Sequence, residues 1–234
     1  MPAANSGARL VADRQGGWWF RRWVPERIAA GVTDRHIQPA QLLRRLGSSL
    51  AVVRAEQVHG ASLAVVVSAR NPEAMIAGCD ALLTGLPGVA LLIRSADCLP
   101  VFFADPSREV IGIAHAGWRG LAALLLPRVV AAFQRYYHAQ ASNLRVAIGP
   151  AIRSCCYEVG PEFAARFGPW VRQQAGRQTC DLIGVVRQQL RQCGVPPRHV
   201  VDSERCTACE PDRWFSLRRE GPQTGRLVSL IALR

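Results

Sequence analysis

The sequence contains no lysine, only two methionines, and no apolar run long enough to cross a membrane. A transmembrane helix needs about 20 consecutive apolar residues, whereas the longest apolar run here, residues 121–126, is followed at once by Pro127 and Arg128. Charged residues also interrupt the first 22 positions, which therefore lack the apolar centre of a secretory signal. We expect no membrane partner and a cytoplasmic location.

Acidic residues are few as well. Seventeen Asp and Glu stand against 29 basic residues, all of them arginine, and the formal net charge is +12. Clustered basic residues would indicate a nucleic acid partner. Here they are scattered and no recognition motif accompanies them, so nucleic acid is not favoured, and a phosphate-bearing small ligand fits the arginines equally well.

The eight cysteines are best read as free thiols, because no secretory signal precedes them. Cys206 and Cys209 have the C-x-x-C spacing of a zinc or redox motif. No second C-x-x-C pair exists to complete a four-cysteine site. We therefore interpret both as incidental thiols.

The composition predicts one globular domain, since 49% of the 234 residues are apolar and 20% are charged. Short apolar runs and helical patterns follow one another irregularly, which predicts an α/β fold of the mixed α+β type and not a regular βαβ array. Residues 1–22 have no period and predict a partly ordered arm before a domain over 23–234. We also expect a helix over 118–137 with a kink at Pro127, and closing strands over 199–202, 214–218 and 227–233.

Three candidate site residues, His59, Cys98 and His115, lie at the ends of predicted strands. A hairpin of residues 101–104 and 110–114 would bring Cys98 and His115 towards one another. Two imidazoles and a thiolate form a three-ligand zinc set with its fourth position open to water, as a catalytic zinc requires. Alternatively, Cys98 is a nucleophile with His115 as its general base, although such a dyad has no need of His59.

Two acids and one arginine are close to these residues in the sequence. Asp97 and Asp80 could orient a histidine or transfer protons, or serve only as turn and capping residues. Arg119 stands at the start of a predicted helix, where an anion could bind.

Several short motifs follow one another along the chain: QVHG (57–60), CDALLT (79–84), ADCLPV (96–101), HAGWRG (115–120), IGPAI (148–152), CYEVG (156–160) and the closing RCT and TGR segments. Together they resemble the laccase-domain family, whose bacterial members are variously described as polyphenol oxidase, peptidoglycan editing factor and purine nucleoside phosphorylase. The resemblance runs from about residue 23 to the end of the sequence. It implies a single domain of layered mixed β-sheets flanked by helices, related to cysteine-hydrolase-like toxin domains.

The resemblance also implies a metal site, usually zinc with copper possible, at His59, Cys98 and His115. The family's activities are phosphorolysis of adenosine, inosine, guanosine and methylthioadenosine, and deamination of adenosine. We expect the chain to be a monomer whose partners are a purine nucleoside and phosphate. A multicopper oxidase would need more histidine ligands than the five present.

Substrate-binding roles in the family reading fall to Arg119, Arg35 and Gln57, with Arg119 for phosphate and with Asp97 or Asp80 as the acid or base. The sequence departs from the family before residue 57, where a longer loop is largely missing. If that loop covers the nucleoside, we expect weaker binding or another substrate. Two alternatives stay open: a cysteine or metal hydrolase that edits a peptidoglycan precursor by amide cleavage, and a zinc-containing binding protein without activity.

Overall fold

The structure, a computed structural model, describes residues 7–14, 16–47, 50–69, 71, 73–174 and 176–234. Its strands are β1 (Arg9–Ala12), β2 (Trp18–Arg21), β3 (Ile28–Val32), β4 (Ala51–Ala55), β5 (Leu63–Val65), β6 (Glu73–Ile76), β7 (Ala81–Thr84), β8 (Val89–Ser95), β9 (Leu99–Asp105), β10 (Val110–Ala116), β11 (Arg145–Ile148), β12 (Val171–Gln174), β13 (Arg177–Cys180), β14 (Val200–Asp202) and β15 (Leu227–Leu233). Its α-helices are α1 (Pro39–Arg44), α2 (Trp118–Ala122), α3 (Leu125–Tyr137), α4 (Glu162–Phe167), α5 (Leu182–Gln192) and α6 (Leu217–Glu220). Within these ranges no helix has the length and apolar character that a bilayer span requires.

Two mixed β-sheets form the body of the fold. The larger has the order β1-β2-β3-β15-β8-β4-β6, and the smaller has the order β14-β11-β9-β10-β7-β5. Most neighbours are antiparallel, but β4 pairs in parallel with β6 and β8, β5 with β7, and β11 with β14. The predicted mixed α/β architecture is confirmed.

The core lies in layers on both faces of the smaller sheet. Phe102 of β9 points into the space between the sheets, and its neighbour Phe103 packs under α3 against Phe133, with ring centroids 6.0 Å apart. Successive side chains of a strand face opposite sides. Because β9 and β10 are covered on both faces, they appear in the sequence as continuous apolar runs. A third, smaller cluster packs Leu42 of α1 on the outer face of the larger sheet.

Within the predicted arm over residues 1–22, the residues that the structure describes join the larger sheet. β1 and β2 form an antiparallel hairpin, and β2 continues the sheet through β3. Trp18 and Phe20 point into the core between the sheets, while Trp19 packs with Leu42 on the other face. Strands of four residues are too short to show a period, so the sequence did not predict these two strands. Residues 1–6 and 15 of the predicted arm lie outside the described residues.

The predicted helix over 118–137 is interrupted, but not at Pro127. Leu124 adopts φ = +60° and separates α2 from α3. Pro127 lies in the first turn of α3, where a missing N–H costs no helical hydrogen bond. The break lets α2 lean on the turn after β4, so closely that a Cβ on Gly120 would lie 2.8 Å from the carbonyl oxygen of Gly60.

The strands predicted over 199–202 and 227–233 are confirmed as β14 and β15, but no strand forms over 214–218. Trp214 is fully buried beside Trp18, with ring centroids 5.3 Å apart. The Ser216 side chain then accepts a hydrogen bond from the Arg219 amide and starts α6. Aromatic and apolar residues are shared by strands and by buried turns, so composition alone misassigned the segment.

Candidate active site

The β9–β10 hairpin brings Cys98 and His115 to the same end of two central strands of the smaller sheet, as predicted. His115 pairs with Pro100, and Ala116 pairs with Leu99, the first residue of β9. Cys98 directly precedes Leu99 and so lies next to the end of β10 that contains His115. The turn at the other end is closed by Asp105, whose Oδ1 accepts hydrogen bonds from the Ser107 amide and hydroxyl. The cysteine and the histidine are therefore placed by a short local pairing.

His59 reaches the same place from the turn after β4. Its ring lies edge-on to His115, with centroids 4.8 Å apart, and the ligand atoms of His59, Cys98 and His115 all lie within 4.8 Å of one another. Gln57 and His59 have φ of +68° and +58°, a strained geometry for residues other than glycine. Gln57 holds the turn in place, because its side-chain amide bonds to both the N–H and the C=O of Arg94.

Asp80, which is fully buried, organises these residues. Its carboxylate accepts hydrogen bonds from the amides of His59 and Gly60, at 3.0 and 2.7 Å, and lies 3.0 Å from Nδ1 of His115. The second ring nitrogen of His115 is thereby turned towards Cys98. A carboxylate behind a histidine is the usual support of a metal-ligating imidazole.

The same contacts set the charges. Burial raises the pKa of Asp80, but hydrogen bonds from His115 and the two amides outweigh it and leave the pKa below its usual range. Burial lowers the pKa of His115, but Asp80 and Cys98 raise it to about 9. Burial raises the pKa of Cys98, but His115 and His59 lower it to about 7. In the absence of a metal, His115 is therefore an imidazolium at neutral pH, and about half of Cys98 is thiolate.

Gly117 leaves room at the sulfur. A Cβ at this position would lie 3.1 Å from Sγ of Cys98 and 3.5 Å from Cδ2 of His59. The backbone angles of Gly117, −74° and 167°, suit any residue. Glycine here leaves space next to Cys98 and His59, and its conformational freedom is not needed.

We expect Gly117→Ala to weaken metal binding on the order of tenfold, as disturbances of a ligand's surroundings do, while shifting Tm by less than about 4 °C. The added methyl group would press on Sγ of Cys98 without straining the backbone. Gly60→Ala is the matched control, because its Cβ would meet its neighbours at 3.5 and 3.6 Å, ordinary contact distances. Competitive zinc titration and a thermal melt measure both quantities, and equal zinc affinities in the two variants would refute the explanation.

Two adjoining cavities open at the three side chains. The first, of about 310 Å³, is lined by Glu56, Gln57, His59, Arg94, Ser95, Ala96, Cys98, His115, Leu217 and Arg226. The second, of about 350 Å³, is lined by His59, Ala96, Asp97, Cys98, Gly117, Trp118, Arg119, Tyr157, Leu217 and Arg218. His59 and Cys98 belong to both walls, so a ligand in either cavity meets them.

The structure places the predicted substrate-binding residues differently. Arg119 lies in the second cavity, stacked 4.4 Å from the Trp118 ring centroid. Gln57 lines the first cavity, but its amide is committed to Arg94. Arg35 is in neither lining and instead contacts Glu220 and the ring of Phe215. Its contacts support α6 and the segment before it.

Asp97 lines the second cavity with both oxygens engaged. Oδ1 accepts a hydrogen bond from the Thr207 hydroxyl at 2.6 Å, and Oδ2 accepts one from the Arg218 amide at 2.7 Å. Its φ is +88°. Asp97 thus fastens the chain's closing segments to the edge that carries Cys98.

Sequence reasoning missed three lining arginines, Arg94, Arg218 and Arg226. Arg226 belongs to the closing TGR motif, which was a usable signal. Arg218 stacks 5.2 Å from the Tyr157 ring centroid. In a chain with 29 arginines, charge alone does not separate these residues from the rest.

A second cluster corrects the interpretation of Cys206 and Cys209 as incidental thiols. The adjacent residues Cys155 and Cys156 supply the missing pair, and the four sulfur atoms lie within 4.8 Å of one another. The C-x-x-C pattern does not identify this second pair, because Cys155 and Cys156 are adjacent in the sequence.

Residues 10–234 match the family described as multi-copper polyphenol oxidoreductase laccase. The chain belongs to this family. Purine nucleoside phosphorylase YlmD of Geobacillus stearothermophilus, one of its relatives, is 38% identical over all of this chain and 92% of that protein. The crystal structure of YlmD superposes with a TM-score of 0.88 and 32% identity, covering 97% of this chain and 99% of the other. The similarity thus extends through the whole laccase-family domain.

Another relative carries a different name. Adenosine deaminase RL5, from an unknown prokaryotic organism, is 33% identical over 77% of this chain and 74% of that protein. Proteins similar to this laccase-family chain are therefore named for two reactions of purine nucleosides.

Proposed function

We propose that this chain is a zinc-dependent enzyme of purine nucleosides that cleaves adenosine, inosine, guanosine and methylthioadenosine with phosphate and also deaminates adenosine. The observation that carries the proposal is the cluster of His59, Cys98 and His115 at the junction of two cavities. The names of the relatives support it.

The donor set fits zinc better than copper. Two imidazoles and a thiolate would hold zinc and leave one tetrahedral position for a substrate or water. Two of these three residues, His59 and Cys98, line both cavities. Blue-copper sites use the same three donors with a weak axial ligand, usually methionine. Met75, the one methionine among the described residues, is 64% exposed on β6 and lines neither cavity. When bound, Zn²⁺ supplies Lewis acidity and lowers the pKa of a coordinated water.

The family's description as multi-copper is not matched by the ligands. The two metal-ligand clusters of the described residues contain two histidines between them, one cluster having His59, Cys98 and His115 and the other four cysteines. His36, His138 and His199 belong to neither. We therefore assign the site to one ion and not to a set of coppers.

Phosphorolysis requires that a phosphate oxygen bond to C1′ of the ribose while the C1′–N9 bond breaks and the purine leaves with a proton. The Arg119 guanidinium has no hydrogen-bond or ion-pair partner among the described residues, and it faces the second cavity, where it can hold the phosphate. Burial raises the pKa of Tyr157, so its ring remains neutral and can pack on the purine. Deamination instead needs water and releases ammonia, so it has no use for Arg119.

Asp80 and Asp97 act by positioning in this proposal. Asp80 is engaged by His115 and two amides, and Asp97 by Thr207 and Arg218. Neither has a proton-transfer partner in the cavities. Asp80 orients the ligand set, and Asp97 holds the wall.

A cysteine hydrolase is the second candidate, because the thiolate of Cys98 beside the imidazolium of His115 is also an acyl-transfer pair. Its substrate would be an amide of a peptidoglycan precursor. The two candidates differ in their metal requirement. Amide cleavage that persists in metal-free protein would favour the hydrolase.

We expect zinc-loaded protein to convert adenosine to adenine when phosphate is present and to inosine when phosphate is absent. Cys98→Ala should lose about one zinc per chain and both products, since one of three ligands is missing. Chromatography of the products and elemental analysis measure the two quantities. Cys193→Ala, a half-buried cysteine outside both clusters, is the control. Unchanged adenosine with fully zinc-loaded wild-type protein would overturn the proposal and favour the binding-protein alternative.

Arg119→Ala separates the two reactions within the same experiment. Phosphorolysis should fall through a higher KM for phosphate, while inosine formation without phosphate stays at the wild-type level. Arg128→Ala, an exposed arginine on α3, is the matched control. An equal loss of both reactions in Arg119→Ala would remove the phosphate role from this residue.

A further inference from the structure

The second cysteine cluster lies away from the cavities, where two loops meet. Cys155 and Cys156 belong to a turn after β11, closed by hydrogen bonds from the amides of Cys156 and Tyr157 to the carbonyl of Arg153. Cys206 and Cys209 follow β14, the parallel neighbour of β11. Ala151 and Cys206 form an isolated bridge, so the two loops continue side by side beyond the sheet. Four thiols thus meet where neighbouring strands have ended.

The sulfur spacing suits one tetrahedral ion. Cys156 and Cys209 are 3.3 Å apart at sulfur, Cys155 and Cys209 3.5 Å, and Cys155 and Cys206 3.6 Å. Four sulfurs at the Zn–S distance of 2.3 Å from a tetrahedral centre are about 3.8 Å from one another. A disulfide needs about 2.0 Å. An iron–sulfur cluster places several iron atoms between its thiolates and spreads them further than these four residues are spread.

The C-x-x-C turn also presents backbone donors to the buried sulfur. Amides of Cys209 and Ala208 in this turn, and of Arg153 in the facing turn, donate hydrogen bonds to the Cys206 sulfur. Such N–H groups orient a metal-bound thiolate and offset part of its charge. Four thiolates this close repel one another unless a cation lies between them.

We propose that Cys155, Cys156, Cys206 and Cys209 bind a second, structural zinc ion through four thiolates. All four ligands come from the protein, so the ion has no open position and takes no part in catalysis. Soft thiolate ligands in a tetrahedral set select zinc over magnesium or calcium. The site is independent of the activity assigned to His59, Cys98 and His115.

The ion would fasten the wall of the second cavity. Tyr157, next to Cys156, lines that cavity, and Thr207, next to Cys206, holds Asp97 through its hydroxyl. Arg219 donates hydrogen bonds to the carbonyl oxygens of Thr207 and Ala208, so α6 is connected to the same loop. One ion thus joins the segments after β11, after β14 and at α6.

The test counts zinc in a background that lacks the first site. We expect two zinc ions per chain in the wild-type protein, one in Cys98→Ala, and none in Cys98→Ala combined with Cys209→Ala. Cys209 is exposed, so its loss removes a ligand without opening the core. Cys98→Ala combined with Cys193→Ala is the matched control and should keep one ion. Elemental analysis after gel filtration gives the counts, and circular dichroism reports folding.

Cobalt substitution supplies a measurement that does not depend on the Cys209 variant. Cobalt-loaded Cys98→Ala protein should show the intense thiolate charge-transfer bands and the visible bands of a tetrahedral four-sulfur site. Zinc-free Cys98→Ala protein would overturn the proposal, and so would weak octahedral cobalt bands. Intact mass showing two disulfides and no metal, in protein prepared under reducing conditions, would overturn it as well.

Discussion

Asp80→Asn is expected to lower the zinc affinity of the His59–Cys98–His115 site by about 10- to 100-fold, the usual effect of losing the carboxylate behind a metal-ligating histidine. Asparagine keeps one acceptor oxygen, but its NH₂ group faces a backbone N–H where the carboxylate accepted a hydrogen bond. One buried donor is left without a partner, at a cost of about 1–3 kcal/mol. Zinc competition and urea unfolding of metal-free protein measure the two effects.

The pH dependence of this destabilisation has a defined sign. The pKa of Asp80 is lowered by folding, so its contribution is present above the unfolded value of about 3.9 and is lost as the pH falls through the lower folded value. The pKa of His115 is raised to about 9, so its contribution is complete below about 6.5 and is lost as the pH rises through about 9. The free energies of unfolding of the wild-type and Asp80→Asn proteins should therefore differ most between about pH 3.9 and about pH 6.5.

Asp105→Ala is the control that separates stability from ligand orientation. Asp105 is also fully buried and accepts local amide hydrogen bonds, but it lies at the opposite end of the β9–β10 hairpin from Cys98. Its alanine variant loses these hydrogen bonds, so it should lose stability and keep zinc affinity. If both variants bind zinc like the wild type, Asp80 supports the fold and not the ligands.

The parts of the site that were predictable from sequence are those set by local pairing. Cys98 and His115 are joined by one hairpin, and the turn between its strands was legible in the sequence. His59 was included for its residue type and strand-end position, and the structure places it beside the other two. The hydrogen bonds of Asp80 to both histidine segments were not legible, because they depend on how β7 packs beside β10.

The errors share a cause. The four-cysteine cluster joins residues about 50 positions apart through the parallel pairing of β11 with β14, and no local pattern announces a parallel pairing. The family resemblance suggests a substrate-binding role for Arg35, and in the structure this residue contacts Glu220 and Phe215, far along the chain. From the sequence, Trp18 was assigned to an arm and Trp214 to a strand. In the structure the two rings pack against each other, and this contact explains the position of each. Contacts between distant segments decide these positions.

In metal-free protein, alkylation of Cys98 by iodoacetamide is expected to titrate with a midpoint near pH 7, because His115 and His59 lower its pKa to about 7 against the effect of burial. An ordinary thiol titrates near 8.5, so at pH 7 about half of Cys98 is thiolate instead of about 3%. A thiolate of low pKa is intrinsically less nucleophilic, which offsets part of the gain in rate. The midpoint is therefore the measurement, followed by mass spectrometry of each cysteine peptide.

Other cysteines and one variant provide the controls. Burial raises the pKa of Cys180 to about 12, so it should stay unmodified across the same pH range. His59→Ala should move the midpoint of Cys98 upward, since one of two stabilising imidazoles is removed. A midpoint at 8.5 or above in the wild-type protein would contradict the assigned thiolate. Zinc then distinguishes a ligand role of Cys98 from a nucleophile role. If zinc protects Cys98 from alkylation at the concentration that supports adenosine turnover, Cys98 is a metal ligand in the working enzyme. If adenosine is turned over while Cys98 stays reactive, Cys98 is a nucleophile.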